Sequence, residues 1–199
     1  MLINYITILN NNILTFLNSI NHTISDYYIV TKIPDYIKKK YKDGIIKADL
    51  LLTNYLKKNL LFNGDWNICI TKNNYMYNYP FTFENIIFMP INYQSNFIET
   101  LIHERIHICQ RYNINEWANL INKQWKINNN IKLKGIINPD TYYIKYTFND
   151  YYGYLTRENN DIKINWINIY TNETKDLKLK YEHPFELLAY KLSEKIINL

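Results

Sequence analysis

Apolar residues recur at helical spacing through the first third of the chain. Pro34 with Asp35 marks the start of one helix, and Asp43-Gly44 joins it to a further helical stretch. The sequence Asn63-Gly64-Asp65 then interrupts the pattern, which predicts an N-terminal helical portion over residues 1–62. The apolar positions on which this prediction rests are Ile6, Leu9, Ile13, Leu14, Leu17 and Ile20, followed by Ile46, Leu50, Tyr55 and Leu56.

After residue 65 the apolar positions alternate, which is typical of strands. Residues 66–70, 75–79 and 84–89 each predict a strand, and the turn around Pro80 separates the second from the third. Pro90 has no N–H to donate to a sheet ladder. We therefore expect the strand that ends at residue 89 to lie at a sheet edge.

The rest of the chain alternates between helical segments and strands rich in Tyr and Ile. Helices are predicted over 97–111, 115–124 and 184–197, strands over 142–148, 151–157 and 162–170, and a polar loop over 127–139. The sequence shows no internal repeat and no Gly-rich phosphate loop. These elements predict a single α+β domain, with the helical portion at residues 1–62 packed on a core formed by residues 63–199.

The composition changes the weight of individual motifs. Hydrophobic residues make up 47% and charged residues 21% of the chain, as in a globular protein. The chain contains 20 Tyr but only 4 Gly and 4 His. A pattern of histidines is therefore more informative here than a pattern of tyrosines or of the abundant asparagines.

Charge and hydropathy exclude several classes of partner. The net charge of +5 is scattered, and its densest run, Lys38-Lys39-Lys40, predicts a solvated helix face rather than a nucleic-acid site. No segment reaches the ~18 consecutive apolar residues of a membrane span, and no signal peptide is indicated. Cys69 and Cys109 could form at most one disulfide bond, which favours a reducing compartment. We expect a soluble intracellular protein without nucleic-acid or membrane partners, and its oligomeric state is left open.

The most specific chemical motif is His103-Glu104-Arg105-Ile106-His107. His103 and His107 are four residues apart on a predicted helix, so both rings project from one face and can hold one metal ion. Glu104 is offset from His103 by about 100° and lies beside the ion without binding it. The composition predicts roughly 0.004 chance occurrences of this motif. His22 lies in the Asn-rich N-terminal region, and no role in a site is expected for it.

The residues around the motif resemble those of zincin metallopeptidases. Thr100 and the apolar residues at 101, 102, 106, 108 and 109 flank the two histidines as they do in that class. Arg105 departs from the pattern, because the class prefers an uncharged residue there. If Arg105 points to solvent the departure is neutral, and if it faces the cleft it would bias the choice of substrate.

A third protein ligand is needed to complete a zinc site. The segment Glu186-Leu187-Leu188-Ala189-Tyr190 matches the E-x-x-A-Y form of the glutamate helix in some gluzincins, and it falls on a predicted helix. The resemblance implies that Glu186 is the third ligand. His183 and Glu182 are the alternatives nearby.

The resemblance implies a small mixed sheet with an active-site helix and a glutamate helix, and a Zn²⁺ cofactor held by His103, His107 and Glu186. Glu104 would act as general base in the hydrolysis of a peptide or protein substrate. For the oxyanion-stabilising group we expect Tyr142, with Tyr154 and Arg157 as rivals. The substrate would add to the sheet edge along residues 86–89. The alternative is a zinc-binding module of the same fold that does not cleave peptides.

Overall fold

The computed structural model describes residues 1–9, 11–19, 29–72, 78–132, 135, 137–158 and 161–199. Over these residues the protein is a mixed α+β structure with five α-helices and two sheets. The helices are α1 (Asn11–Ser19), α2 (Asp35–Tyr55), α3 (Phe97–Tyr112), α4 (Ile114–Ala118) and α5 (Pro184–Ile197), with a short 3₁₀ helix at Lys58–Leu60. The strands are β1 (Ile3–Tyr5), β2 (Trp66–Thr71), β3 (Phe81–Phe83), β4 (Ile86–Pro90), β5 (Trp125–Ile127), β6 (Tyr146–Phe148), β7 (Tyr151–Glu158), β8 (Asp161–Asn168) and β9 (Thr174–Lys175).

The first sheet has the strand order β1-β2-β4-β3. β1 and β4 are both parallel to β2, and β3 is antiparallel to β4. Every residue of β4 is buried, and Ile68 and Ile87 at the centre of the sheet are 0% exposed. A strand buried in this way needs apolar residues on both faces, which explains the run Ile86-Ile87-Phe88-Met89.

The helical prediction for residues 1–62 is confirmed in α1 and α2 but is wrong at its beginning, and the join expected at Asp43-Gly44 is absent because α2 continues through it. Ile3–Tyr5 forms a strand that pairs with Trp66–Ile68 of β2, and the Asn4 side chain donates a hydrogen bond to Asn67 Oδ1 at 3.0 Å. This pairing joins residues more than 60 positions apart, which a local spacing pattern does not contain. The strand predicted at 75–79 falls mostly on residues 73–77, which lie outside the described residues.

The prediction that the strand ending at residue 89 is an edge strand is wrong. β4 lies between β2 and β3, and the outer strand on that side is β3, where the sequence suggested only a turn. Pro90 is tolerated because the pairing with β3 ends at Phe81↔Phe88, so no neighbour needs its missing N–H. A substrate therefore cannot add to the sheet along residues 86–89.

The second sheet is antiparallel, with the order β5-β6-β7-β8-β9. The predicted strands in the region 142–170 are confirmed in β6, β7 and β8, whereas β5 was not predicted and the helix expected over 115–124 ends at Ala118. Trp125 and Trp166 pack against each other, with ring centroids 5.9 Å apart, and join this sheet to the main core.

Helices α3 and α5 lie against each other and bring the two halves of the predicted site together. Phe185 and Ala189 of α5 are 0% exposed, as are Ile102 and Ile106 of α3. Cys69 and Cys109 are buried free thiols. Among the described residues, each helix is too short or too polar to cross a lipid bilayer.

Candidate metal centre

The two histidines of α3 meet a carboxylate from α5. The Nε2 atoms of His103 and His107 are 3.0 Å apart. Glu186 places Oε2 at 3.6 Å from His103 Nε2 and Oε1 at 3.4 Å from His107 Nε2. These are the three residues that the sequence motifs selected as metal ligands, and in the structure their side chains lie next to one another.

These distances fit a metal ion. Ligands arranged tetrahedrally at about 2.0–2.1 Å from zinc are about 3.3 Å from one another. The two imidazole Nε2 atoms are 3.0 Å apart, and each lies 3.4 or 3.6 Å from one of the two carboxylate oxygens of Glu186. Two imidazoles and one carboxylate, all largely buried, form a donor set that could hold a metal ion and leave a coordination position open.

The alternative ligand His183 has a different task. It is the N-cap of α5: its Nδ1 accepts a hydrogen bond from the Phe185 N–H at 3.2 Å, and its Nε2 then donates to the Ile144 carbonyl at 3.1 Å. Burial lowers the pKa of His183 to about 4, so the ring is neutral. Because both ring nitrogens bond to the backbone, neither is directed at the metal centre.

The alternative ligand Glu182 is a neighbour of the centre rather than part of it. Asn138 Nδ2 donates one hydrogen bond to Glu182 Oε1 at 2.9 Å and another to Glu186 Oε1 at 2.8 Å. Asn138 Oδ1 in turn accepts the Asp140 N–H at 2.9 Å. Burial and the charge of Glu186 raise the pKa of Glu182 to about 7. Asn138 therefore orients the ligand carboxylate, a role that its place before Pro139 in a predicted loop did not reveal.

Gln110 fixes the orientation of His107. Its side chain is fully buried, and its Nε2 donates to the Phe185 carbonyl at 3.0 Å, which leaves Oε1 to accept from His107 Nδ1 at 2.9 Å. His107 must therefore carry a hydrogen on Nδ1, and its Nε2 faces His103 and Glu186 as the ligand atom. The sequence offered no signal for this beyond the position of Gln110 three residues after His107.

Glu104 is buried beside the three ligand residues and lines the same cleft as His103. Its Oε2 has no hydrogen-bond partner among the described residues. Burial, followed by the charges of Asp140 and Glu186, raises the pKa of Glu104 well above its usual value. A carboxylate with an unused oxygen in this position is suited to accept a proton from a water molecule in the cleft.

The centre has an excess of negative charge. Burial alone lowers the pKa of His107, but the charges of Glu186, Asp140 and Glu104 outweigh it and raise the pKa to about 10. Asp140 reaches the centre from the loop after Asn138, where the Thr82 hydroxyl donates to its Oδ1 at 2.7 Å. The same carboxylates would favour a divalent cation bound between the imidazoles.

The structure does not bring Tyr142 to the histidines. Its ring stacks on Phe83, with centroids 5.3 Å apart, and Tyr142 lines a small separate cavity together with Tyr154. The side chain of the rival Arg157 lies outside the described residues, as does His22.

Tyr190 lies in the cleft instead, with its ring 4.3 Å from that of His103. Its spacing of four from Glu186 on α5 was the available signal for this position.

Arg105 faces neither solvent nor the cleft. It is 3% exposed, and its guanidinium donates to the carbonyls of Phe62, Gly64 and Asp65 at 3.1, 2.5 and 3.0 Å. The same group lies 4.7 Å from the centroid of a Trp66 ring. The departure from the zincin pattern therefore anchors the loop before β2 to the back of α3, and it does not act on substrate.

The metal centre opens into a cleft of about 500 Å³. The residues that line it include Thr100 of α3, Phe81 of β3, Asp140, Leu155 of β7 and Ile164 of β8. The cleft is thus bordered by both sheets, with charged groups around the histidines and apolar side chains from the β7–β8 hairpin.

Comparison with protein-family models, with curated proteins and with solved structures gives no match to this chain. The chemistry of the site therefore rests on its own residues.

We predict that the purified protein binds one zinc ion per chain, because the three donor atoms are spaced for one ion. His103→Ala and Glu186→Gln should each lose the ion, as measured by elemental analysis after dialysis against buffer containing zinc. Glu182→Gln and His183→Asn are matched controls and should retain it. Retention by Glu186→Gln with loss by Glu182→Gln would assign the third ligand to Glu182 instead.

Gln110→Met should weaken zinc binding about 10- to 100-fold, because the supporting hydrogen bond of a ligand histidine is lost. Competition with a chromophoric chelator measures the affinity. An unchanged affinity for zinc would contradict the role given to Gln110.

Proposed function

We propose that the protein is a zinc-dependent peptidase with a zincin-like core, in which His103, His107 and Glu186 hold the ion and Glu104 is the general base. The observation that supports this most directly is the convergence of the three ligand residues beside a buried carboxylate with a free oxygen. The order of elements adds support, because the helix with the two histidines follows a small mixed sheet whose outer strand, β3, is antiparallel.

Zinc, when bound, supplies a Lewis acid that polarises the scissile carbonyl and lowers the pKa of water toward ~7. Glu104 accepts the proton of the attacking water on its unpaired oxygen and passes it to the leaving amine. Burial of Glu104 favours this cycle, since the raised pKa allows the carboxyl group to hold the proton between the two steps.

We assign the stabilisation of the developing oxyanion to Tyr190 in place of Tyr142. Tyr190 lies on the same face of α5 as Glu186 and lines the cleft beside His103. Burial and the neighbouring carboxylates Glu186 and Glu104 raise its pKa, so the hydroxyl keeps its proton over the working range and can donate it in a hydrogen bond.

Glu104→Gln should retain zinc but lose hydrolysis of unfolded casein by at least a hundredfold, because an amide cannot accept the proton of water. Release of peptides is followed by mass spectrometry and metal content by elemental analysis. If the wild-type protein holds zinc but releases no peptides, the alternative of a non-catalytic zinc-binding module is correct.

Tyr190→Phe should lower kcat by about 10- to 1,000-fold while zinc affinity stays within a factor of two, because the ring still packs on His103 and only the hydroxyl is lost. Tyr142→Phe is the matched control, and its kcat should be unchanged. Equal losses in the two variants would show that Tyr190 has no special place in the reaction.

A further inference from the structure

Two strand edges border the cleft, and the edge of β3 is closed. The Thr82 N–H points away from β4 and donates to Asp140 Oδ1. On the same side, the Arg111 guanidinium donates to the Glu84 carbonyl and to the Asp140 carbonyl. A peptide could not add to β3 at Thr82 without displacing these contacts, so this edge is not where a substrate backbone would bind.

The edge of β8 is open beside the cleft. β9 pairs with β8 only at Trp166 and Ile167. Lys178, three residues after β9, has a positive φ of 55°, and residues 176–180 form no strand. Over residues 161–165, β7 lies on one side of β8, and no strand in the described part of the chain lies on the other.

The direction of the free backbone groups follows from the hydrogen bonds at the end of β8. The Asn168 N–H donates to the Glu173 carbonyl at 2.8 Å on the β9 side, and the Ile169 N–H donates to the Asp150 carbonyl at 3.1 Å on the β7 side. The pairing of β7 with β8 continues without a bulge from Asn168 to Asp161. Because these directions alternate along a strand, the N–H and C=O of Ile164 and Ile162 point outward at the open edge.

The same two residues face the cleft with their side chains. Ile162 and Ile164 line the cleft, together with Leu155, the cross-strand partner of Ile164. Gly153 lies on this face of the hairpin, where a Cβ would come within 2.8 Å of the Glu182 carbonyl. The hairpin is thus held against the chain that leads into α5, and its open edge lines the same cleft as His103 and Glu186.

We propose that the β8 edge at Ile162 and Ile164 is the docking strand for the substrate, which binds as an extended peptide segment paired with β8. Two outward residues offer two N–H donors and two carbonyl acceptors, and the apolar wall beside them takes side chains of alternate substrate residues. The substrate class is therefore an unfolded polypeptide segment with an apolar residue near the cleaved bond. This proposal rests on the proposed peptidase function for cleavage, but the binding itself is measured separately.

A second copy of the chain is a poorer occupant of this edge than a peptide. Lys163 is at the centre of the open stretch, so full antiparallel overlap of two β8 edges would place Lys163 opposite Lys163. Like charges directly opposite each other destabilise a strand pair. A substrate peptide carries no such penalty.

Amide hydrogen exchange followed by NMR tests the docking directly. The probe is a pool of peptides from unfolded casein, added to the zinc-loaded Glu104→Gln protein so that no peptide is consumed. Exchange at Ile162 and Ile164 should slow at least tenfold, whereas Lys163, whose N–H already faces β7, should not change. Protection at Thr82 instead, or no protection at Ile162 and Ile164, would overturn the proposal. Protection that rises with protein concentration without peptide would assign the edge to a second copy and overturn it too.

Ile164→Pro provides a kinetic test, because it removes one outward N–H without removing a bond to β7. The kcat/KM for a long peptide should fall about tenfold, a larger loss than for Ile164→Val, which changes the side chain but keeps the N–H. Equal effects of the two variants would overturn the proposal. If Ile164→Pro does not fold, a scan of N-methylated peptides replaces it. N-methylation at every second amide of the peptide should weaken its binding to the zinc-loaded Glu104→Gln protein, and a scan without this alternation would overturn the proposal. If the wild-type protein cleaves nothing, the peptidase function fails, and the exchange experiment still decides the docking.

Discussion

A buried carboxylate has to be balanced by positive charge, and the region between α3 and α5 is organised around that requirement. Glu186 is 5% exposed, and removing a carboxylate from water costs several kcal/mol unless partners compensate. The imidazoles within 3.6 Å and the amide of Asn138 provide part of the compensation. Glu104 and Asp140 add further negative charge. A divalent ion between the imidazoles would complete the balance that a proton on His107 supplies in its absence.

The helix that carries the histidines is held from two opposite directions, and this explains how its ligands keep their positions. The Gln110 side chain donates a hydrogen bond to the carbonyl of Phe185, the residue before Glu186, and accepts one from His107. One amide therefore holds both the ring of His107 and the first turn of α5. Arg105 connects the other side of α3 to three carbonyls of the loop before β2. Because these contacts belong to the fold as well as to the site, binding of an ion at these residues would be coupled to the stability of the fold.

The sequence predicted those parts of the site that depend on one helix at a time. The spacing of His103 and His107 and the position of Glu186 in its short motif are local patterns, and the structure brings these three side chains together. Local patterns do not reveal the roles of Asn138 and Asp140, because their hydrogen-bond partners lie in other elements. They do not reveal the role of Gln110 either, because it depends on the amide oxygen, rather than the amide nitrogen, facing His107. The choice of Tyr142, with Tyr154 and Arg157 as rivals, did not include Tyr190, the tyrosine that lines the cleft beside His103, since 20 tyrosines offer many candidates and only packing distinguishes them.

Strand order shows why local rules misjudged the sheet edge. Because Pro90 has no N–H, a neighbouring strand cannot accept a hydrogen bond from it at that position. A short β3, whose pairing with β4 ends before Pro90, meets this requirement while β4 remains an inner strand. The edges that matter are set by long-range contacts: Asp140 closes β3, and the early end of β9 opens β8. Gly153 connects these facts to the metal centre, because its missing side chain lets the chain at Glu182 cross the hairpin closely. Any larger residue at position 153 would push the β7–β8 hairpin away from the start of α5. The open edge of β8 would then move away from Glu186.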